Sequence, residues 1–496
     1  MAAGSLAATA GRGAAFTGIA QLARLLLQLA SVVVLSRLLS PTDYGVVAIV
    51  LLVVAFGETF RDLGLAAASV QAKTLSRDQR TNLFWVNTGI GAVLTALMAA
   101  VSGLIALVVD VAAVGEVALA LAATFLLNGL TSQYRASLLR SLRFKALAFI
   151  DILSAAVALV VAVAAALAGW SYWALVAQQL SAAIILLVGA VVIARWIPGL
   201  PNRRGDIRPF LNLGWNLVGS QLVAYASSNI DSLIVGLRFG TASLGFYNRA
   251  FQLVMTPVNQ IRGPMTTVAL PVLARLQDTR SRYNDYVAVG QLALSYPLCI
   301  ALGAAAVLAD SVTRVALGPQ WDESAPILRF LAISAMFQTL AFVGYWVYVS
   351  RGLGRDLFRF SLVSAAVRIT CILVGSQWGV VGVAVGFMVG PAINWPISIG
   401  WLSRVTVIPT RRLYLGAARV LLLVIAAATS TSLAVFVALP GLSPVVTLLV
   451  GLTVYLATIA LVAMIPPYRA DLRTIKQILT LVRGSRKSSA TEQDLE

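Results

Sequence analysis

The residues with the most chemistry in a small space are Glu58, Arg61 and Asp62, set at i, i+3 and i+4 in a mostly apolar run that opens Ser40-Pro41-Thr42-Asp43-Tyr44-Gly45. On a helix these three share a face, so the guanidinium can pair with either acid in its own helix or hold an anion beside them. An Arg or Asp near the centre of a spanning helix costs roughly 2.5 to 3.5 kcal/mol on insertion scales, so protein, water or a ligand must lie against the trio. Other ionisable residues interrupt apolar runs at Arg24, Asp231, Arg249, Arg262 and Arg368. Arginine suits a diphosphate: its planar fork makes paired hydrogen bonds to phosphate oxygens, and it stays protonated when partly desolvated. Arg24, Arg61, Arg249 and Arg262 are therefore the candidate substrate-binding cations, with Glu58, Asp62 and Asp231 as their acidic partners.

Other chemistries are excluded by composition. The chain has no His, and its two cysteines, Cys299 and Cys371, lie inside apolar runs. That removes His-based acid–base or nucleophilic catalysis, CxxC redox chemistry and imidazole or thiolate metal sites, so neither a catalytic set nor a metal site is expected. No nucleotide-binding loop is visible. The net charge of +18 does not point to nucleic acid, because no basic block is interleaved with aromatics as a stacking surface requires.

The elements that position these residues are membrane helices. Of 496 residues 59% are hydrophobic and only 11% charged, with a mean hydropathy of +0.89. Several runs exceed the roughly 18 apolar residues that mark a span. Turn residues and charges divide the chain into about fourteen spans, an all-α polytopic membrane protein. The gaps after even-numbered spans are basic: Lys73/Arg77/Arg80, Arg140/Arg143/Lys145, Arg195/Arg203/Arg204/Arg208, Arg275/Arg280/Arg282, Arg351/Arg355/Arg359 and Arg404/Arg411/Arg412. The odd gaps hold little Lys or Arg, so by the positive-inside rule the even gaps and both termini are expected on the cytoplasmic side.

A period of about 200 residues lies over this pattern. Leu39-Ser40-Pro41-Thr42-Asp43-Tyr44-Gly45 aligns with Phe239-Gly240-Thr241-Ala242-Ser243-Leu244-Gly245, and each heads a long helix with an Arg about twenty residues in. The expected domains are a six-helix lobe at 1–200, a second at 201–405, two extra spans at 406–465, and a cytoplasmic amphipathic helix with a disordered tail at 466–496. Related by pseudo-twofold symmetry, spans one, two, seven and eight would bring their charges to a cleft between the lobes. Outside those spans only Arg368 reads as deep. A structural alternative stands beside each assignment: pairing within one helix for Glu58, Arg61 and Asp62, and snorkelling to headgroups for Arg61, Arg249 and Arg262. Pro257 and Pro264 flank Arg262 and are the candidate hinge. Gly382, Gly386 and Gly390 repeat every four residues and read as a close helix contact. Span seven is polar, with Asn216, Gln221, Tyr225, Ser227, Ser228 and Asn229.

Several of these segments resemble one family. Arg37-Leu38-Leu39-Ser40-Pro41-Thr42-Asp43-Tyr44-Gly45, Phe60-Arg61-Asp62-Leu63-Gly64-Leu65 and Asn82-Leu83-Phe84-Trp85-Val86-Asn87 are similar to the Wzx-type polysaccharide flippases of the multidrug/oligosaccharidyl-lipid/polysaccharide (MOP) superfamily. So are Gly245-Phe246-Tyr247-Asn248-Arg249-Ala250, Leu270-Pro271-Val272-Leu273, Gly318-Pro319-Gln320-Trp321 and Ala325-Pro326-Ile327-Leu328. The resemblance implies two six-helix lobes working by alternating access in the bacterial cytoplasmic membrane. It implies as client an undecaprenyl-diphosphate-linked glycan, with membrane lipids and polysaccharide polymerase or assembly proteins as further partners. Cavity charges carry over by motif at Arg61 and Arg249, and by helix alone at Arg24, Asp231 and Arg262. No cofactor is implied beyond coupling to H⁺ or Na⁺, for which Glu58, Asp62 or Asp231 is the candidate carrier, since a partly desolvated carboxylate tends towards neutrality. Three rival readings share parts of this pattern. A drug exporter of the same superfamily would have a mostly acidic cavity. A flippase for the lipid-linked peptidoglycan precursor is separated only by the motifs above. A membrane glycosyltransferase, polymerase or ligase would need a large outward loop, and the longest here, Asp310 to Glu323, is about a dozen residues.

Overall fold

A computed structural model describes residues 3–62, 65, 69–70, 72, 75–202, 207–439 and 441–475. The side chains of Asp62, Asn216 and Gln221, and residues 476–496 of the tail, lie outside this description. The described chain is helical and contains no strand. A backbone crossing hydrocarbon has to satisfy its own polar groups, and helices do so within one segment.

The first six helices are α1 (Ala3–Leu38), α2 (Pro41–Asp62), α3 (Arg77–Val109), α4 (Ala112–Arg140), α5 (Phe144–Leu167) and α6 (Trp173–Ala194). Then come α7 (Arg208–Arg275), α8 (Arg280–Val307), the short α9 (Ala309–Ala316) and α10 (Ser324–Ser350). The last four are α11 (Gly354–Gly375), α12 (Gly379–Val405), α13 (Thr410–Ser432) and α14 (Pro444–Val462). Eleven segments among the described residues are long and apolar enough to cross a membrane. One of them, Gly354–Val405, holds both α11 and α12, and the 68-residue α7, which is not among the eleven, breaks into two legs. The total is the fourteen crossings that the hydrophobic runs predict. The break in α7 is at Gly240, where φ is 84° and ψ is 178°, a conformation essentially reserved for glycine. Pro257 and Pro264 both lie inside the second leg.

The start of α2 shows how local chemistry sets an entry point. Ser40 Oγ accepts from Asp43 N–H at 3.2 Å, and Asp43 Oδ2 accepts from Ser40 N–H at 2.8 Å, a reciprocal cap with Pro41 at the first helical position. Asp43 is therefore the early acceptor. Beyond this cap α2 makes an unusually close crossing. A Cβ added to Gly45 would fall on the Thr241 carbonyl, and one on Gly245 would fall on the Pro41 carbonyl. Pro41 and Thr241, like Gly45 and Gly245, are separated by the same 200 residues. The two repeats thus meet here isologously, each presenting its glycine to the other's first turn.

The chain divides into two compact units, Met1–Asn248 and Arg249–Glu496. The division falls inside α7, because the first leg of α7 packs with α2: Tyr225 donates to the Leu52 carbonyl at 2.7 Å, and its ring lies 6.0 Å from that of Phe56. In the first unit α3 packs on α4, α5 on α6 and α1, and α4 on α6 and α2. In the second, α12 packs against both α10 and α11, and α13 lies against α8 and α14. The glycine row of α12 is the α11 contact. Cβ atoms on Gly382 and Gly386 would strike the carbonyls of Gly375 and Cys371, and Gly390 rides on the Cα of Arg368.

A short helix at 466–475 begins the tail. Sequence reading makes it an interfacial helix ringed by basic residues, yet its anchor is acidic. Asp471 is 7% exposed, accepts two bonds from Arg419 at 2.7 and 2.8 Å, and accepts a third from Tyr296 at 2.9 Å. This joins the tail to α13 and α8.

Two measurements check these contacts. Gly386→Ala should cost about 1–3 kcal/mol through overpacking. Gly400→Ala, where a Cβ meets nothing within 4 Å, should leave stability unchanged or slightly raised. Thermal unfolding of the two purified variants in detergent compares them directly. Asp471→Ala should expose the tail junction to limited proteolysis at lower protease concentration than wild type, because it strands the Arg419 guanidinium.

Candidate functional site

Charge placed within the spanning helices of the first unit gathers at two points. The first joins three helices. Arg24 of α1 approaches Asp151 of α5 at 3.7 Å, and Arg135 of α4 grips the same carboxylate with bonds of 2.6 and 3.3 Å. Neither Asp151 nor Arg135 is among the candidate site residues, and the structure joins both to Arg24. Their signal was present in the sequence, an acid eight residues into α5 and a base near the end of α4, but their partnership spans three helices. Two guanidiniums share one carboxylate, and the side chains remain accessible, at 44% for Arg24, 34% for Arg135 and 22% for Asp151. Among the described residues the acid that Arg24 approaches is Asp151, not Glu58 or Asp231.

The second point is the trio on α2. Arg61 Nε donates to Glu58 Oε2, and Arg61 Nη1 reaches the Asn128 carbonyl at 3.4 Å. Asn128 Nδ2 closes the circuit by donating to Glu58 Oε1 at 2.9 Å. The intrahelical pair weighed as the structural alternative is therefore formed, and it ties α2 to α4. With side-chain exposures of 11% and 22%, Arg61 and Glu58 are largely enclosed.

Asp231, on the first leg of α7, is 1% exposed and accepts from Tyr247 Oη at 2.6 Å. Its neighbour Ser232 meets Asn248 at 3.4 Å. The turn at Gly240 folds the leg so that Asp231 and Tyr247, sixteen residues apart, come together. Sequence spacing alone does not show this pairing.

In the second unit Arg249 is partly buried at the start of the second leg of α7. Arg262 is 8% exposed and held without a carboxylate among the described residues. Its Nη2 donates to Thr339 Oγ1 at 2.8 Å and to the Ala335 carbonyl at 3.3 Å, and its guanidinium lies 5.1 Å from the Phe342 ring centre. Carbonyl, hydroxyl and aromatic face thus replace the counter-ion. The described residues contain no group of three or more acids or cysteines able to hold a metal ion.

Long apolar helices in two units, an internal repeat and ionised groups clustered inside the spans define a polytopic membrane protein of the MATE-like, MOP-superfamily fold. Two solved structures share it: the lipid II flippase MurJ in an inward closed conformation, with TM-score 0.70 and 12% identity over 90% of this chain and 98% of that one; and an inward-facing multidrug resistance MATE family transporter of the MOP superfamily, with TM-score 0.56 and 14% identity over 82% and 98%. The chain belongs to the polysaccharide biosynthesis protein family, which matches residues 34–326. Among its relatives are the lipopolysaccharide biosynthesis protein WzxC of Escherichia coli (strain K12), 24% identical over 78% of this chain and 79% of WzxC. Another is the succinoglycan biosynthesis transport protein ExoT of Rhizobium meliloti (strain 1021), 25% identical over 71% of each.

Paired and unpaired arginines respond differently to removal. Arg61→Met should lower the thermal midpoint, costing about 1–3 kcal/mol by leaving the Glu58 carboxylate without its cation and held only by the Asn128 amide. Arg262→Met keeps the stem volume and leaves no carboxylate behind, so its midpoint should equal or exceed that of wild type. Parallel melts of both variants in one detergent test the contrast.

Proposed function

We propose that this chain is a flippase, not an enzyme, and that it moves a polyprenyl-diphosphate-linked oligosaccharide, the repeat unit of a polysaccharide, across the bacterial cytoplasmic membrane by alternating access. Both termini would lie on the cytoplasmic side, where the basic gaps place them. The observation that carries the reading is the Arg24–Asp151–Arg135 cluster: two cations on one carboxylate, within spanning helices and accessible. Net positive charge at that depth is tolerated beside water and an anionic client, and a diphosphate supplies the complementary fork-accepting oxygens. Membership of the polysaccharide biosynthesis family and the transport role in ExoT's name support the same assignment.

Arg24 would be the first cation to engage the diphosphate, because its hold on Asp151 is long and its side chain is the most exposed of the three. Arg61, Arg249 and Arg262 are further candidates, of which Arg61 and Arg262 would need their present contacts rearranged before reaching the client. Glu58, Asp62 and Asp231 are the candidate carriers of a coupling H⁺ or Na⁺. The glycan would meet polar side chains on the first leg of α7, and the isoprenoid tail would stay in lipid.

The test is glycan export in a flippase-deleted host complemented with wild type, Arg24→Ala, Arg24→Lys and Arg135→Ala at matched membrane expression. Loss of one charged, paired contact should lower export about 10- to 100-fold in Arg24→Ala, with lipid-linked oligosaccharide accumulating on the cytoplasmic side. Arg24→Lys, which keeps the charge but not the fork, should be intermediate. Full export by both alanine variants would remove the basis of the proposal.

A further inference from the structure

In the first unit, where Ser69, Leu75 and the start of α3 meet the end of α4, there is a cavity of about 270 Å³. Its walls carry Arg77, Arg80 and Arg140 with Ser76, Ser137 and Gln133, and no carboxylate among the described lining residues. The arginines are positioned by specific contacts. Arg140 Nη1 donates to the carbonyls of Ser69 and Ala72 at 2.9 and 2.6 Å, holding the connection against α4. Arg80 lies flat on the Trp196 ring at 4.1 Å, and its Nη1 reaches Ser137 Oγ at 3.3 Å. Trp196 itself is packed edge-on against Phe84 and Tyr134, so the platform under Arg80 is rigid.

Two donors at this cavity have no partner among the described residues. Arg80 Nε is buried and unbonded, and so is Nε2 of Gln133, a residue only 1% exposed. A buried unsatisfied donor costs about 1–3 kcal/mol, and three guanidiniums around one small space repel each other. The start of α3 is fixed at the cavity by a capping box of Ser76 with Gln79, and its first turn carries Asp78 beside Arg77 and Arg80. One ligand class satisfies all of this: an anion with several acceptor oxygens, small enough for the space and charged enough to offset the arginines.

We infer that this cavity is a binding site for a phosphomonoester or diphosphate group, separate from the Arg24 and Arg61 clusters and not dependent on the transport reading. The forks of Arg77 and Arg80 take the phosphate oxygens, and Gln133 Nε2 supplies the neutral donor at the base of the cavity. The group comes from an anionic lipid headgroup, since the site lies where α3 begins and α4 ends, or from a soluble phosphate compound. Gln133 stands five residues, about 7.5 Å of helix rise, beyond Asn128 on α4, which places the site close to the Arg61 circuit.

The experiment uses the full chain in phosphatidylcholine nanodiscs. Inorganic diphosphate is titrated calorimetrically, and dioleoyl phosphatidate incorporated in the disc is followed through retention in native mass spectra. Wild type is compared with Arg80→Gln, Arg77→Gln and Gln133→Leu. Arg77→Gln keeps the test decisive if loss of the Trp196 stack unfolds Arg80→Gln. The expected result is at least tenfold weaker binding in the arginine variants. Gln133→Leu is expected to weaken binding while raising the unliganded thermal midpoint, a pair of opposite effects that a merely structural glutamine does not produce. Binding of diphosphate supports a soluble source, and binding of phosphatidate alone supports a headgroup. Binding of neither probe to wild type, or equal binding by wild type and folded variants, would overturn the inference.

Discussion

A guanidinium keeps its proton even inside a hydrocarbon slab, so every arginine on a spanning helix must meet a carboxylate, a carbonyl, an aromatic face or water. The architecture supplies each of these. Arg61 takes a carboxylate one turn away on its own helix and a carbonyl from α4. Arg262 takes a carbonyl, a hydroxyl and a phenyl ring. Arg24 shares Asp151 with a second arginine and keeps much of its surface accessible. Arg24 is the least enclosed of the three.

Satisfying those charges requires helices that come close together, and small residues allow it. Gly91 and Gly129 let the α3 and α4 backbones approach, with a Cβ on either meeting a carbonyl of the partner helix. Gly382 and Gly386 do the same between α12 and α11. In a membrane, where lipid is as apolar as leucine, such close contacts replace the hydrophobic drive that brings helices together in water. The crossing of Gly45 and Gly245 is more informative than a packing detail. Because each glycine faces the first turn of the other repeat, it gives the weak 200-residue sequence repeat a physical counterpart.

Much of this was legible beforehand. Hydropathy predicts the fourteen crossings, and the break at Gly240 falls where the repeat places the junction between two spans. The Ser40–Asp43 cap, the intrahelical Glu58–Arg61 pair and the glycine row of α12 all follow from local spacing. Asp151 is not legible as a paired charge because its partners lie on two other helices. Asp471 is not legible as an anchor because its own stretch is basic and its partners lie on α13 and α8.

By itself the sequence determined whatever depends on neighbours within a turn or on the thickness of a bilayer: the number of spans, the alternation of basic gaps, and a helix face on which Arg61 can meet Glu58 or Asp62. The tertiary structure alone decided which charge answers which across helices. Arg24 with Asp151 and Arg135, Arg262 with Thr339, Asp231 with Tyr247, and the arginine cavity above Trp196 are long-range choices. Apolar helices of similar hydropathy dock interchangeably as far as composition goes, whereas a single buried charge selects its partner through a few ångströms of geometry.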